Sequence, residues 1–109
     1  MDAEPDDRNW KLKLRYGRLK TPFQHFTVIA EGVAGDLMDG FSCRPGSTFM
    51  SMKVWASSSE ESIEMIRAIG KQIGFTVTGR TYVYETEPTS PPKANPHGYE
   101  IKFTSFDSK

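Results

Sequence analysis

SSSEESIEMIRAIGKQIGF, residues Ser57–Phe75, is the stretch whose helical period is clearest, and the other elements arrange themselves around it. Ser57, Ser58 and Ser59 are all competent N-caps, and Ser58 with Glu61 three residues on forms a capping box. Glu60, Glu61 and Glu64 lie in the first two turns and Arg67 and Lys71 toward the end, which suits the helix dipole at both ends. At 100° per residue Ile66, Ile69, Gly70 and Ile73 share one side, with Ile63 and Met65 at its edges. Glu60, Glu64, Arg67, Ala68 and Lys71 fall opposite. Gly74 is the expected C′ residue, after which Phe75 folds back on the last turn. Gly70 on the apolar side lowers helix propensity by about 1 kcal/mol relative to alanine. A residue that small on a buried face predicts close approach to a sheet, with a ligand crevice as the alternative.

The rest of the chain reads as short strands. Trp10–Tyr16 (WKLKLRY) alternates without a fault, so it is expected to be a half-buried strand with Lys11, Lys13 and Arg15 on its outer face. The next strands are expected at His25–Glu31, with Phe26, Val28 and Ala30 inward, and at Thr48–Ala56, with Met50, Met52 and Val54 on one face. Gly32–Gly46 between them is long enough that it must hide a hairpin or serve a purpose. After the helix come Phe75–Glu85, where mid-strand Gly79 predicts a bulge or a close backbone approach, and Tyr99–Phe103. The Glu87–Gly98 connection, with four prolines, is expected to be exposed and stiff.

The resulting order is β-β-β-α-β-β. One amphipathic helix covers one sheet face and the alternation leaves the other wet. The expected fold is a two-layer α+β sandwich with a mostly antiparallel sheet, in the manner of ferredoxin-like architectures. A five-stranded OB-like barrel is the alternative. A chain of 109 residues makes one domain, expected over residues 8–106 between an acidic disordered tail, residues 1–7, and a short C-terminal tail, residues 107–109. That length buries roughly 60–65% of the unfolded surface, so no disulfide or metal is needed.

Composition narrows the function classes. The single thiol, Cys43, fits a reducing compartment. No apolar run approaches the ~20 residues that span a bilayer, and the acidic start is unlike a signal peptide. The expected location is the cytoplasm, with no membrane partner. Formal net charge is zero, yet Arg8, Lys11, Lys13, Arg15, Arg18 and Lys20 lie in residues 8–20 with no acid among them.

No catalytic or metal-binding pattern stands out. His25, Cys43 and His97 lie in three different elements, without the short ligand pairs of zinc sites. His25 reads as a solvent-facing strand residue, His97 as a turn residue, and Cys43-Arg44-Pro45-Gly46 as a turn. Asp36 and Asp39 lack the ligand spacing of a calcium loop. No cofactor or metal is therefore expected. The remaining signal is the outer sheet face, where Lys11, Lys13, Arg15, Arg80, Tyr82, Tyr84 and Lys102 would interleave bases with aromatic rings. The expected function is a non-enzymatic binding or regulatory module that takes a protein partner or associates with itself through the open face or long loops. Single-stranded nucleic acid is the alternative partner, and a small enzyme using His25 and Cys43 the third possibility.

Overall fold

The computed structural model describes residues 6–38, 40–41 and 43–105. The elements in order are α1 (Asp6–Arg15), β1 (Gln24–Ala34), β2 (Gly46–Ala56), α2 (Ser59–Ile73), β3 (Phe75–Glu85) and β4 (His97–Ser105). The four strands form one open antiparallel sheet in the order β3-β1-β2-β4. The class is α+β, as expected. The element order is α-β-β-α-β-β, and among the described residues the sheet has four strands, with β3 and β4 at its two edges, in place of a closed five-stranded barrel.

The expected first strand, Trp10–Tyr16, is helical. Its residues suit a helix on physical grounds, since Trp, Lys, Leu and Arg include no β-branched side chain. Trp10 and Leu14, and likewise Leu12 and Tyr16, are four apart and so stack along a helix as readily as they alternate along a strand. The end is a Schellman turn. The Arg18 N–H reaches Lys13 O at 2.7 Å and the Gly17 N–H reaches Leu14 O at 3.3 Å, with Gly17 at φ 78°. Lys13 and Arg15 lie in the last turn, where the dipole favours cations. Of the expected tail, Asp6 and Asp7 belong to this helix, and residues 1–5 and 107–109 lie outside the described residues.

α2 forms much as its sequence dictates. The Ser58 side chain accepts from the Glu61 N–H at 3.1 Å, while the Glu61 carboxylate accepts from the Ser57 N–H at 2.6 Å, one residue before the cap. Ser62, Ile66, Gly70 and Ile73 are buried against the sheet. Facing them are Phe26, Val28, Ala30 and Ala34 of β1, Met50, Met52, Val54 and Ala56 of β2, and Phe75 of β3. A Cβ at Gly70 would stand 3.0 Å from Phe75 Cδ2, 3.2 Å from Met50 Sδ and 3.3 Å from Phe75 O. Close approach to the sheet is thus what excludes a larger residue there.

The hairpin β1–β2 runs further than the expected strands. It pairs without a break from Gln24↔Ala56 to Ala34↔Gly46, which shortens the long loop to residues 35–45. In β3 the register to β1 shifts opposite Ala30 and Gly32. Gly79 lies in that irregular stretch, as the bulge read from it predicts, and what comes close to it is the Glu31 side chain, whose Oε1 would stand 2.6 Å from a Cβ there, and not another backbone.

Candidate functional site

Period-2 alternation assigns the second sheet face. With the even-numbered residues of β1 turned to α2, His25, Thr27, Ile29, Glu31 and Val33 face the other way. Across the ladders they share that face with Phe49, Ser51, Lys53 and Trp55 of β2, Tyr82 and Tyr84 of β3, and His97, Tyr99, Lys102 and Thr104 of β4. α2 packs on the opposite face, and α1 makes no substantial contact with any strand. Over most of its length this second face is covered by no described helix or strand.

The face has two zones. The first surrounds Ile29. Tyr82 lies opposite Ile29 and donates from Oη to Glu31 Oε2 at 3.0 Å. Phe49 and Ser51 continue the surface across β2, and Lys102 is exposed beyond them on edge strand β4. Tyr84 and Val33, 52% and 44% exposed, present apolar area that a solvated face does not need.

The second zone is a network around His25. This residue is only 7% exposed, contrary to the solvent-facing position expected for it. The rings of Trp55 and Tyr99 flank it, and Thr86, where β3 passes into the proline-rich connection, bonds to its edge, while that connection is fastened in turn to the same two rings. His25 Nδ1 lies 2.9 Å from Thr86 O and Nε2 lies 2.6 Å from Tyr99 Oη. Tyr99 Oη also accepts the Thr89 and Ser90 N–H groups at 3.1 and 3.2 Å. Trp55, whose ring meets His25 edge-on at 5.0 Å, donates from Nε1 to Ser90 O at 2.9 Å. The connection expected to be exposed is therefore pinned to the sheet by hydrogen bonds, although several of its side chains remain outside. Burial pulls the His25 pKa below its ordinary value, against the opposing bond to Thr86 O; Lys53 adds to the lowering and Glu100 and Glu87 resist it.

Glu100 joins the two zones. It is the one described non-glycine residue with positive φ, at 50°, and it sits where the β2–β4 register shifts between Ser51 and Lys53. Its carboxylate accepts from Lys53 Nζ at 2.7 Å and from Thr89 Oγ1 at 2.8 Å. Those two bonds draw its pKa down, Lys53 contributing most. A left-handed residue held at a bulge by two anchors on its side chain is a position over-determined by its surroundings.

The expected basic–aromatic site divides. Tyr82, Tyr84 and Lys102 do share the open face. Lys11, Lys13 and Arg15 are exposed on α1, away from the sheet, and Arg80 is exposed in the irregular stretch of β3. His25 and Cys43 do not meet either. Cys43 Sγ lies 3.7 Å from Thr48 Oγ1, and Thr48 pairs with Gly32, seven residues along β1 from His25. At the rise of a strand that is roughly 20 Å, too far for any shared proton. Among the described residues no three His, Cys, Asp or Glu side chains gather as metal ligands, and no helix is long and apolar enough to cross a membrane. Comparison with protein-family models, with curated proteins and with solved structures finds no match.

Sequence reasoning missed the His25–Tyr99–Trp55 network because its members are up to 74 residues apart. Parity pointed His25 and Trp55 to one face, but plain alternation sets Tyr99 with Ile101 and Phe103 on the α2-covered face, and only the register shift between Ser51 and Lys53 turns it to the face of His25.

Proposed function

We propose that the protein is a non-enzymatic binding module whose working surface is the open sheet face, and that the partner it takes there is a second copy of this chain. The observation that carries the proposal is the zone of Ile29, Tyr82, Tyr84 and Val33, opposite the α2-covered face, over which no described helix or strand packs. The charge pattern favours a neutral partner. Lys53 is paired with Glu100, Glu31 is engaged by Tyr82, and the chain's formal net charge is zero, so two copies do not repel each other. Nucleic acid is the weaker reading. Among the described residues Lys102 is the one base beside the tyrosines on this face with no salt bridge, and Lys11, Lys13 and Arg15 stand elsewhere on α1. The lone thiol of Cys43 suits action in the reducing cytoplasm.

Strand rise and spacing give the free part of the face roughly 500–600 Å². Two such faces bury about 1,100 Å² in total, at the lower end of specific interfaces, so the expected dimer is weak and reversible. Sedimentation over a concentration series tests this. The parent chain should pass from monomer to dimer below about 1 mM. Ile29→Lys, which places a charge at the centre of the contact, should remain monomeric while unfolding in urea within ~0.5 kcal/mol of the parent. A parent that stays monomeric throughout overturns the proposal.

A further inference from the structure

We propose that His25 is a proton-operated latch: its neutral ring holds residues 86–96 over one end of the open face, and protonation of the ring releases them. The bonding pattern carries this. Thr86 O can only accept, so His25 Nδ1, 2.9 Å away, must carry a hydrogen. In the neutral ring Nε2 then offers a lone pair, and Tyr99 Oη at 2.6 Å must donate to it. Donating its own proton leaves both lone pairs of the Tyr99 oxygen for the Thr89 and Ser90 N–H groups. Nδ1 also lies 3.2 Å from Thr86 Oγ1, a hydroxyl that can accept as well as donate, so it is the shorter contact to the carbonyl that favours the Nδ1–H tautomer.

A proton on Nε2 breaks that arrangement. The ring becomes a double donor, and the Tyr99 oxygen now faces three N–H groups with two lone pairs. Its own hydrogen must turn away, and the nearest oxygen in the cluster is Thr89 Oγ1 at 3.5 Å, at the outer limit of a hydrogen bond and already facing Lys53 Nζ at 3.3 Å. One of the Thr89 and Ser90 amides therefore loses its acceptor. Ser90 O, which takes the Trp55 Nε1–H, goes with it. Opening lets the charged ring into water, which its buried site denies it, so the proton does its work by favouring the open arrangement.

The charges around the ring are of both signs. Lys53 of β2 opposes its protonation, and Glu100 of β4 and Glu87 of the connection favour it. Lys53 and Glu100 largely cancel, since they are 2.7 Å apart. Glu85 at the end of β3 and Lys20 of the α1–β1 connection line the cleft beside the ring. His97 touches Tyr99 at 5.8 Å between ring centroids and does not bond to His25. Release would uncover Trp55 and Tyr99 and so lengthen the docking surface, a consequence that rests on the face-to-face reading above. The latch itself does not.

The test is amide hydrogen exchange at Thr89 and Ser90 in the full chain between pH 7.5 and 5, with each rate divided into that of an unstructured peptide at the same pH. Protection in the parent should fall as pH drops below 6.5, by at most about tenfold per pH unit. His25→Gln should give protection independent of pH, and His97→Gln should keep the parent's dependence. Tyr99→Phe keeps the ring and should leave both amides weakly protected even at pH 7.5, which secures the test if His25→Gln does not fold. Constant protection in the parent overturns the latch, as does an unchanged pH dependence in His25→Gln. Since exchange is read with no partner present, a failure of the latch and a failure of self-association are distinguishable.

Discussion

Replacing Gly70 with valine separates the two meanings a glycine on a buried helix face can have. The helix alone would favour the change. Glycine is about 1 kcal/mol worse than alanine in a helix interior, and valine recovers roughly half of that. The sheet opposes it. The first added carbon already lies 3.0–3.3 Å from Phe75 Cδ2, Met50 Sδ and Phe75 O. Met50 Sδ can shift, since a thioether chain is flexible. Phe75 O belongs to the backbone of β3 at the point where α2 hands over to it, and its ring is wholly buried, so neither has room to retreat. Alanine should therefore come out near neutral, propensity and crowding offsetting each other. Valine adds two methyls to the same space, and overpacking of this kind costs about 1–3 kcal/mol. Set against the propensity gain, the net loss should be roughly 1–2 kcal/mol, which at this chain length is a melting point lower by about 4–10 °C. Urea melts of parent, Gly70→Ala and Gly70→Val measure it. A valine variant as stable as the alanine one would mean that α2 stands off the sheet, and the close-packing argument would fail.

Three further outcomes are expected. Ser58→Ala removes the acceptor of the Glu61 N–H and should cost about 1 kcal/mol in urea melts, with Ser58→Asp close to the parent. Charge reversal at Lys11, Lys13 and Arg15 puts acids in the last turn of α1, so far-ultraviolet dichroism should show lost helix. Because α1 makes no substantial contact with any strand, the unfolding free energy of the domain from urea melts should change by no more than ~0.5 kcal/mol, and a larger drop would make α1 part of the core. Stability should also depend on pH through His25. Its folded-state pKa is lowered, so the unfolded chain binds more protons below pH 6.5. Stability is then complete above 6.5 and declines as pH falls toward the folded value, by at most about 1.4 kcal/mol per unit. Glu100, also lowered, acts in the same direction but only below its ordinary 4.5, so melts at pH 7.5 and 5.5 in parent and His25→Gln isolate the histidine.

α2 was legible because its signals are local and agree. The serine cap, the glutamates of the first turn, the apolar side and Gly74 all lie within the helix or one residue of it. The strands from Phe75 to Glu85 and around Met50 were legible for the same reason, through their period of two. Trp10–Tyr16 was not, because seven residues with apolar ones at every second place satisfy both a strand and a pair of i,i+4 contacts. The discriminating features were its lack of β-branched residues and Gly17, which closes the helix where a strand would merely have ended. The error moved three bases off the sheet and with them most of the case for a nucleic-acid surface.

The misreading of His25 has a different origin. Its parity was right: it does point away from α2. Pointing away from a helix means exposure only if nothing else returns to that face, and what returns here is a segment more than sixty residues later in the chain. Prolines made that segment look like a free spacer, since they remove donors from any ladder. Yet the bonds that hold it use N–H groups of Thr89 and Ser90 and the carbonyls of Thr86 and Ser90, all from residues that are not proline. The sheet supplies the matching groups from side chains, His25, Trp55 and Tyr99, so the segment is fastened without adding a strand. Side-chain fastening needs only a few bonds, and a few bonds that meet at one tyrosine oxygen can be undone by a single proton.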